Sequence, residues 1–234
     1  MDSQRISQIL NLNKEFYQLV AKDFSETRQK PWEGWGRVVD IIRKKRHELE
    51  KESPDLKPLE ILDIGCGNGR FLKFLAENLD CFSYTGIDIN NDLLKEARKI
   101  ELKSVNQSAK FIKKDIFNDA KSLSGAYDVI VAFGVTHHIP DADFRKKWFL
   151  DMEKLLKSEP KKISLLCLTF WDFGEEPGDY FLGWKNREDS VRYCHKYSDR
   201  ELNNIIKGYE KLGFKKIDSY TADNKNTYFI FGKI

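Results

Sequence analysis

Apolar positions recur at helical spacing near the start of the chain: Ile6, Ile9, Leu10, Leu12, Phe16, Leu19 and Val20. The polar stretch FSETRQKPWEGW interrupts them, and a second helix is predicted from about Gly34 to Glu52. Its tail, RKKRHELEKESPDLK, alternates in charge and reads as a solvated helix face running into a linker. After Pro58 the texture changes. Strands are predicted at Leu59–Ile64, Phe82–Ile89, Ala109–Ile116, Tyr127–Val135 and Ile163–Phe170, with helices at Arg70–Leu79, Asp92–Leu102 and Asp143–Lys157 between them. The last two of these strands are largely apolar, as strands buried on both faces are. A long aromatic and glycine-containing segment comes next, from Trp171 to about Tyr197. A helix, Asp199–Leu212, stops at Gly213, and two final strands flank an Asp-Asn-Lys-Asn turn suited to a hairpin. This alternation predicts an α/β, doubly wound, mostly parallel sheet of seven strands, with its ligand crevice beyond the carboxyl ends of the central strands. The predicted division is a helical cap over residues 1–57 and an α/β domain over 58–234.

Composition narrows the class. Hydrophobic residues make up 41% and charged residues 33%, which excludes a disordered or fibrous chain. The longest apolar run, Ile163–Trp171, is far short of the roughly 20 residues of a membrane span, and no secretory signal is visible. The cytoplasm is the expected compartment, with no membrane partner. Cys66, Cys81, Cys167 and Cys194 form no CxxC pair, so neither a disulfide scaffold nor a metal is expected. The net charge of +3 neither demands nor excludes a nucleic acid. The basic clusters are short and interleaved with acids: Arg43 to Arg46, Lys161-Lys162 and Lys215-Lys216.

The chemistry-bearing segment is Asp63-Ile64-Gly65-Cys66-Gly67-Asn68-Gly69-Arg70, between a strand and a helix. Glycines there let backbone pass close to a ligand, and the helix amides face the same spot. A tight structural turn is the plainer reading of GxGxG taken alone. A dinucleotide site has GxGxxG spacing, and a carboxylate at Asp63 would repel a pyrophosphate but suit an ammonium group. NAD is therefore disfavoured. Asp88, at the end of the second predicted strand and followed by Ile89, can accept both hydroxyls of a ribose. Asp115, at the end of the third, can accept from an adenine amino group with Ile116 packed on the ring. A lone aspartate at a strand end is commonly a cap; three in register are harder to dismiss. S-adenosylmethionine (SAM) has the amino acid, ribose and adenine that these positions would take.

DIGCGNGR, GIDIN, KKDIF and VAFGVTHHI resemble the successive motifs of class I SAM-dependent methyltransferases, over roughly Leu59 to Ile234. The resemblance implies a Rossmann-like seven-stranded sheet with the last strand antiparallel. It implies that Asp63, Gly65, Cys66 and Gly67 surround the methionine part, Asp88 and Ile89 the ribose, and Asp115 and Ile116 the adenine. Phe133, Gly134 and Val135 would form the floor near the methyl group. The chain departs from many members in having KSEPKKI where they have a Pro-Gly-Gly turn.

The acceptor is read from the segment after the fourth predicted strand. Gly134-Val135-Thr136-His137-His138-Ile139 lacks both the Asn/Asp-Pro-Pro-aromatic loop of amino-directed DNA methyltransferases and the cysteine of cytosine C5 methylation. His138 is either a general base or a locally packed residue. Phe24 to Trp32, FSETRQKPW, and Asp189 to Tyr197, DSVRYCHKY, resemble segments of the tRNA wobble-uridine methyltransferases, which esterify a carboxymethyl group on uridine C5. Glu33 and Cys194 depart from that pattern. The resemblance implies that Arg28 and Arg192 orient the carboxylate, with His195 nearby, and that Trp32 or Tyr193 stacks on the base. Arg28 facing the cofactor carboxylate, and Trp32 and Tyr193 as ordinary packing, stay open. tRNA is the expected partner; related eukaryotic enzymes use a small activator protein, and the sequence leaves open whether this one does. The alternatives are a small-molecule carboxyl or O-methyltransferase and a non-catalytic SAM-binding scaffold.

Overall fold

The computed structural model describes residues 1–51, 57–118, 123, 126–157, 163–184 and 187–233, the side chains of 187–189 excepted. The predicted helix end at Glu52 and the Lys161-Lys162 cluster lie outside the described residues. Two helices open the chain, α1 (Ser3–Thr27) and α2 (Gly34–Glu50). Asp2 caps α1 by accepting from the Arg5 amide. Then strands and helices alternate: β1 (Leu59–Ile64), α3 (Arg70–Asn78), β2 (Phe82–Asp88), α4 (Asn91–Ala97), β3 (Gln107–Lys113), β4 (Val129–Ala132), α5 (Ala142–Glu153) and β5 (Leu165–Trp171). A hairpin comes next, β6 (Gly178–Trp184) and β7 (Arg187–Lys196), then α6 (Asp199–Lys211), β8 (Phe214–Ala222) and β9 (Asn226–Lys233).

The main sheet has the order β3-β2-β1-β4-β5-β9-β8. Five strands are parallel, β9 runs antiparallel to β5, and β8 runs antiparallel to β9. The doubly wound seven-stranded sheet expected from the alternation is what forms. Strand order reverses between β1 and β4, which opens a crevice above their carboxyl ends. β4 and most of β5 are buried on both faces, so their side chains anchor two core clusters, one on each side of the sheet. Trp35, Val38, Val39 and Ile42 of α2 belong to one of those clusters. A smaller cluster joins Phe16 and Val20 of α1 to Trp184 of β6. Among the described residues no helix is long and apolar enough to cross a membrane.

Two expectations are corrected. The segment after Trp171 is largely a two-stranded antiparallel sheet, pairing Phe181 with Tyr193 and Leu182 with Arg192. β3 ends at Lys113, so Asp115 and Ile116 lie in the turn beyond it.

Candidate functional site

A cavity of about 880 Å³ lies over the switch point, lined by the loops after β1, β2, β3 and β4, by α1 and the segment after it, and by β7. Gly65 and Gly67 have φ of +70° and +55°, which glycine adopts without cost. A Cβ on Gly65 would stand 2.5 Å from Val135 Cγ2, so the β1 and β4 loops can approach only because none is there. Both the Gly65 and Cys66 amides donate to the Ile87 carbonyl, at 2.8 and 3.0 Å, which fixes the loop against β2.

Asp63 is 3% exposed and accepts from the Tyr84 hydroxyl at 2.6 Å. Burial pushes its carboxyl up to about 7, against the lowering effect of that bond. A buried acid so raised is one that lacks a cation, and the cavity it lines can receive one. The Asp88 carboxylate accepts from the Gly67 and Asn90 amides at 2.9 and 2.8 Å; burial still holds it above the usual range. Asp115 also lines the cavity, but its carboxylate caps its own turn, accepting from the Phe117 and Asn118 amides and from the Asn118 side chain. Cys66, Ile89, Ile116, Phe133 and Gly134 line the same space.

The other part of the cavity is cationic and aromatic. Arg28 and Arg192 both line it, with guanidinium carbons 5.1 and 5.7 Å from the centroid of the one Trp184 ring. Burial, then the charge of Arg192, lowers the Arg28 pKa. Among the described residues neither guanidinium has a carboxylate partner, and the buried Nε of Arg192 has no hydrogen-bond partner at all. Trp32 lines the cavity 5.5 Å from Trp35 and 6.4 Å from Phe133, with Arg70 over its ring.

His138 closes a short 3-10 turn, Thr136–His138, and is 6% exposed. Burial, then Arg192, lowers its pKa to about 3. At neutral pH it is an uncharged ring with little affinity for a proton, which argues against the general-base reading. His137, His138 and Cys194 offer ligand atoms within 4.8 Å of one another. Both His138 nitrogens already have partners, and burial pushes the Cys194 thiol up to about 11. A metal there would have to displace those bonds beside the Arg192 charge.

Tyr193 and His195 do not line the cavity, a correction to the site expected from the sequence. A strand alternates faces, so Arg192 and Cys194 point one way and Tyr193 and His195 the other. The Tyr193 hydroxyl donates to Asp179 at 2.6 Å. His195 sits between Asp179 at 2.6 Å and Glu201 at 3.0 Å, and Glu201 also receives Arg145 at 3.1 Å. It ties the hairpin to α5 and α6.

Sequence reasoning passed over Asn13 and Tyr17, which line the cavity from α1. The available signal was their i, i+4 spacing on the apolar face of that helix.

Residues 62–159 match the family model described as "Methyltransferase domain". The mouse tRNA (carboxymethyluridine(34)-5-O)-methyltransferase ALKBH8 is 27% identical over 169 residues, 72% of this chain and 22% of that protein. The ubiquinone biosynthesis O-methyltransferase of Vibrio parahaemolyticus is 28% identical over 123 residues, 51% of each chain. The chain spans less than two thirds of the length of these curated relatives. Magnesium protoporphyrin IX methyltransferase (ChlM) from Synechocystis PCC 6803 with bound SAH superposes with a TM-score of 0.63 at 16% identity, covering 96% of this chain and 99% of that one. The DhpI-SAH complex gives 0.62 at 15% identity, covering 95% and 96%.

The matched segment is a methyltransferase domain, and the chain has the Rossmann-like fold of the SAH-bound structures it superposes on.

Proposed function

We propose that the protein transfers the methyl group of SAM to a carboxylate, that of a carboxymethylated wobble uridine in tRNA. The observation that carries this reading is the pair Arg28 and Arg192: two guanidiniums facing one cavity, neither matched by a carboxylate among the described residues. Such a pair suits a bidentate anion.

The cradle suits the cofactor, because a buried acid lacking a cation, Asp63, and a second carboxylate, Asp88, border a loop whose glycines leave room for a ligand. Asp63 would hold the ammonium, Asp88 the ribose hydroxyls and Ile116 the adenine face. When bound, SAM supplies an electrophilic methyl on a positively charged sulfur. The residues of the chain then have one task, alignment. The arginines hold the acceptor oxygen, Trp32 and Trp171 offer faces for a base, and α1 with β7 keeps water out. A carboxylate is already ionised, so no proton has to leave, which agrees with a His138 that takes none. Methylation makes the acceptor neutral, and the arginines lose their hold on the product. Lys14, Lys30 and Arg70, which also line the cavity, suit phosphates beside the base. The tRNA-methyltransferase relatives and the resemblance of the segments around Arg28 and Arg192 to that family support this acceptor.

The second reading is a small-molecule O-methyltransferase, favoured by the ubiquinone-biosynthesis relatives and by the acids Glu26, Glu33 and Asp223 among the cavity-lining residues. Radiolabelled SAM distinguishes the two. The expected result is label on an anticodon stem-loop carrying 5-carboxymethyluridine, none on the uridine stem-loop, and reduced transfer in Arg192→Ala. Label on phenolic metabolites alone overturns the carboxylate reading.

A further inference from the structure

Arg192 is reached by a chain of hydrogen bonds that starts and ends on β7. The Tyr193 carbonyl lies 2.9 Å from Nδ1 of His138. A carbonyl can only accept, so Nδ1 carries the proton and Nε2 is left as the acceptor. The Tyr17 hydroxyl is 2.7 Å from that Nε2 and donates to it. Its single proton thus engaged, the Tyr17 oxygen turns a lone pair toward Nη1 of Arg192 at 3.4 Å. The ring is fixed edge-on to Phe16, Phe24 and His138. The Tyr17 carbonyl accepts from Asn90 Nδ2 at 2.7 Å, and the Asn90 amide donates to the Asp88 carboxylate at 2.8 Å.

We infer that Tyr17 is a positioning residue that aims Arg192 at the acceptor anion, with its height set against Asp88 through Asn90. This rests on the reading of Arg192 as the anion holder. A phenyl ring would fill the same space and keep the three aromatic contacts. What the hydroxyl adds is polar: it satisfies a buried histidine nitrogen and gives the guanidinium one fixed direction. The guanidinium also has a hydrogen bond with the weakly polar Cys194 side chain, and its other contacts include the ring faces of Phe16, Trp171 and Trp184, which hold its plane but not its rotation.

The test uses the full chain, SAM and the 5-carboxymethyluridine stem-loop. Tyr17→Phe is expected to raise the stem-loop KM about five- to tenfold, the worth of one hydrogen bond to a charged group. It should leave kcat and the SAM Kd within about twofold. In an Arg192→Ala background the same change should do nothing, since no guanidinium remains to be aimed. A purely structural Tyr17 would give the same loss in both backgrounds and overturn the inference, as would a SAM Kd that moves with the stem-loop KM. An Arg192→Ala variant as active as the parent sinks the anion-holder reading instead. A readout needing no acceptor is the Arg192 Nε–H signal in nitrogen-15 spectra. It should be sharp in the parent and exchange-broadened in Tyr17→Phe; an unchanged signal refutes the positioning role.

Discussion

The Tyr84 hydroxyl lies 2.6 Å from Oδ2 of Asp63 and gives that carboxylate its one side-chain hydrogen bond among the described residues. One neutral donor does not offset the burial, which is why the acid stays near 7 rather than near 4.

A cationic group bound beside Asp63 favours its charged form. SAM affinity should therefore rise with pH up to about 7 and then level, with close to one proton released per SAM bound at pH 6. Calorimetry in buffers of different ionisation enthalpy measures that proton. Zero release would separate Asp63 from the cofactor.

Replacing Asp88 with Asn keeps an acceptor for the Gly67 amide but removes the charge. SAM should bind about tenfold more weakly or worse, since hydrogen bonds to charged groups contribute roughly 1.5–3 kcal/mol. An unchanged Kd refutes the ribose role.

His137 and His138 are buried and held neutral. Their folded-state pKa values lie below the unfolded value near 6.5, so their protonation favours unfolding. The stability tied to them is whole above pH 6.5 and is lost as pH falls toward 3. Asp63 works in the opposite sense: its raised pKa makes the fold gain stability as pH falls from 7 to 4. Melting of Asp63→Asn should thus show the histidine loss less opposed, with only the raised Asp88 still working against it, and a steeper fall from pH 7 to 5 than in the parent. A flat profile in that variant is the adverse result.

His195 clamps the β6–β7 hairpin to α6 and lies outside the cavity. His195→Ala should lower the melting temperature by several degrees, on the order of 2 kcal/mol for a chain of this size. Transfer well below that temperature should stay within about twofold. A large kcat loss without destabilisation would return His195 to the chemistry.

The sheet was readable from the chain because β1, β4 and β5 are short, largely apolar runs set among helical segments, and Gly65-Cys66-Gly67 stands where the first of them stops. Asp115 was misplaced because β3 is an edge strand with mostly exposed side chains, so no hydrophobic boundary marks its end at Lys113. The β6–β7 hairpin lies in the aromatic and glycine-containing segment to which no secondary structure was assigned. Glycines and acids obscure its alternation, and without a strand there Arg192, Tyr193 and His195 could not be sorted onto opposite faces. Tyr17 and Asn13 escaped notice because apolar periodicity counts only what the helix buries for packing, not the polar groups carried on the same face.

α1 is fastened from below by two asparagines: Asn68 donates to the Arg28 carbonyl at 3.1 Å, and Asn90 to that of Tyr17 at 2.7 Å. Both stand just past the carboxyl ends of β1 and β2. A chain trimmed to begin after Thr27 would lose the Tyr17 phenol, the Asn13 bond to the β7 backbone and Phe24 in one cut. Expressing the Rossmann-like portion alone would yield a sheet with an unroofed trough, so the first helix belongs in any preparation meant to turn over.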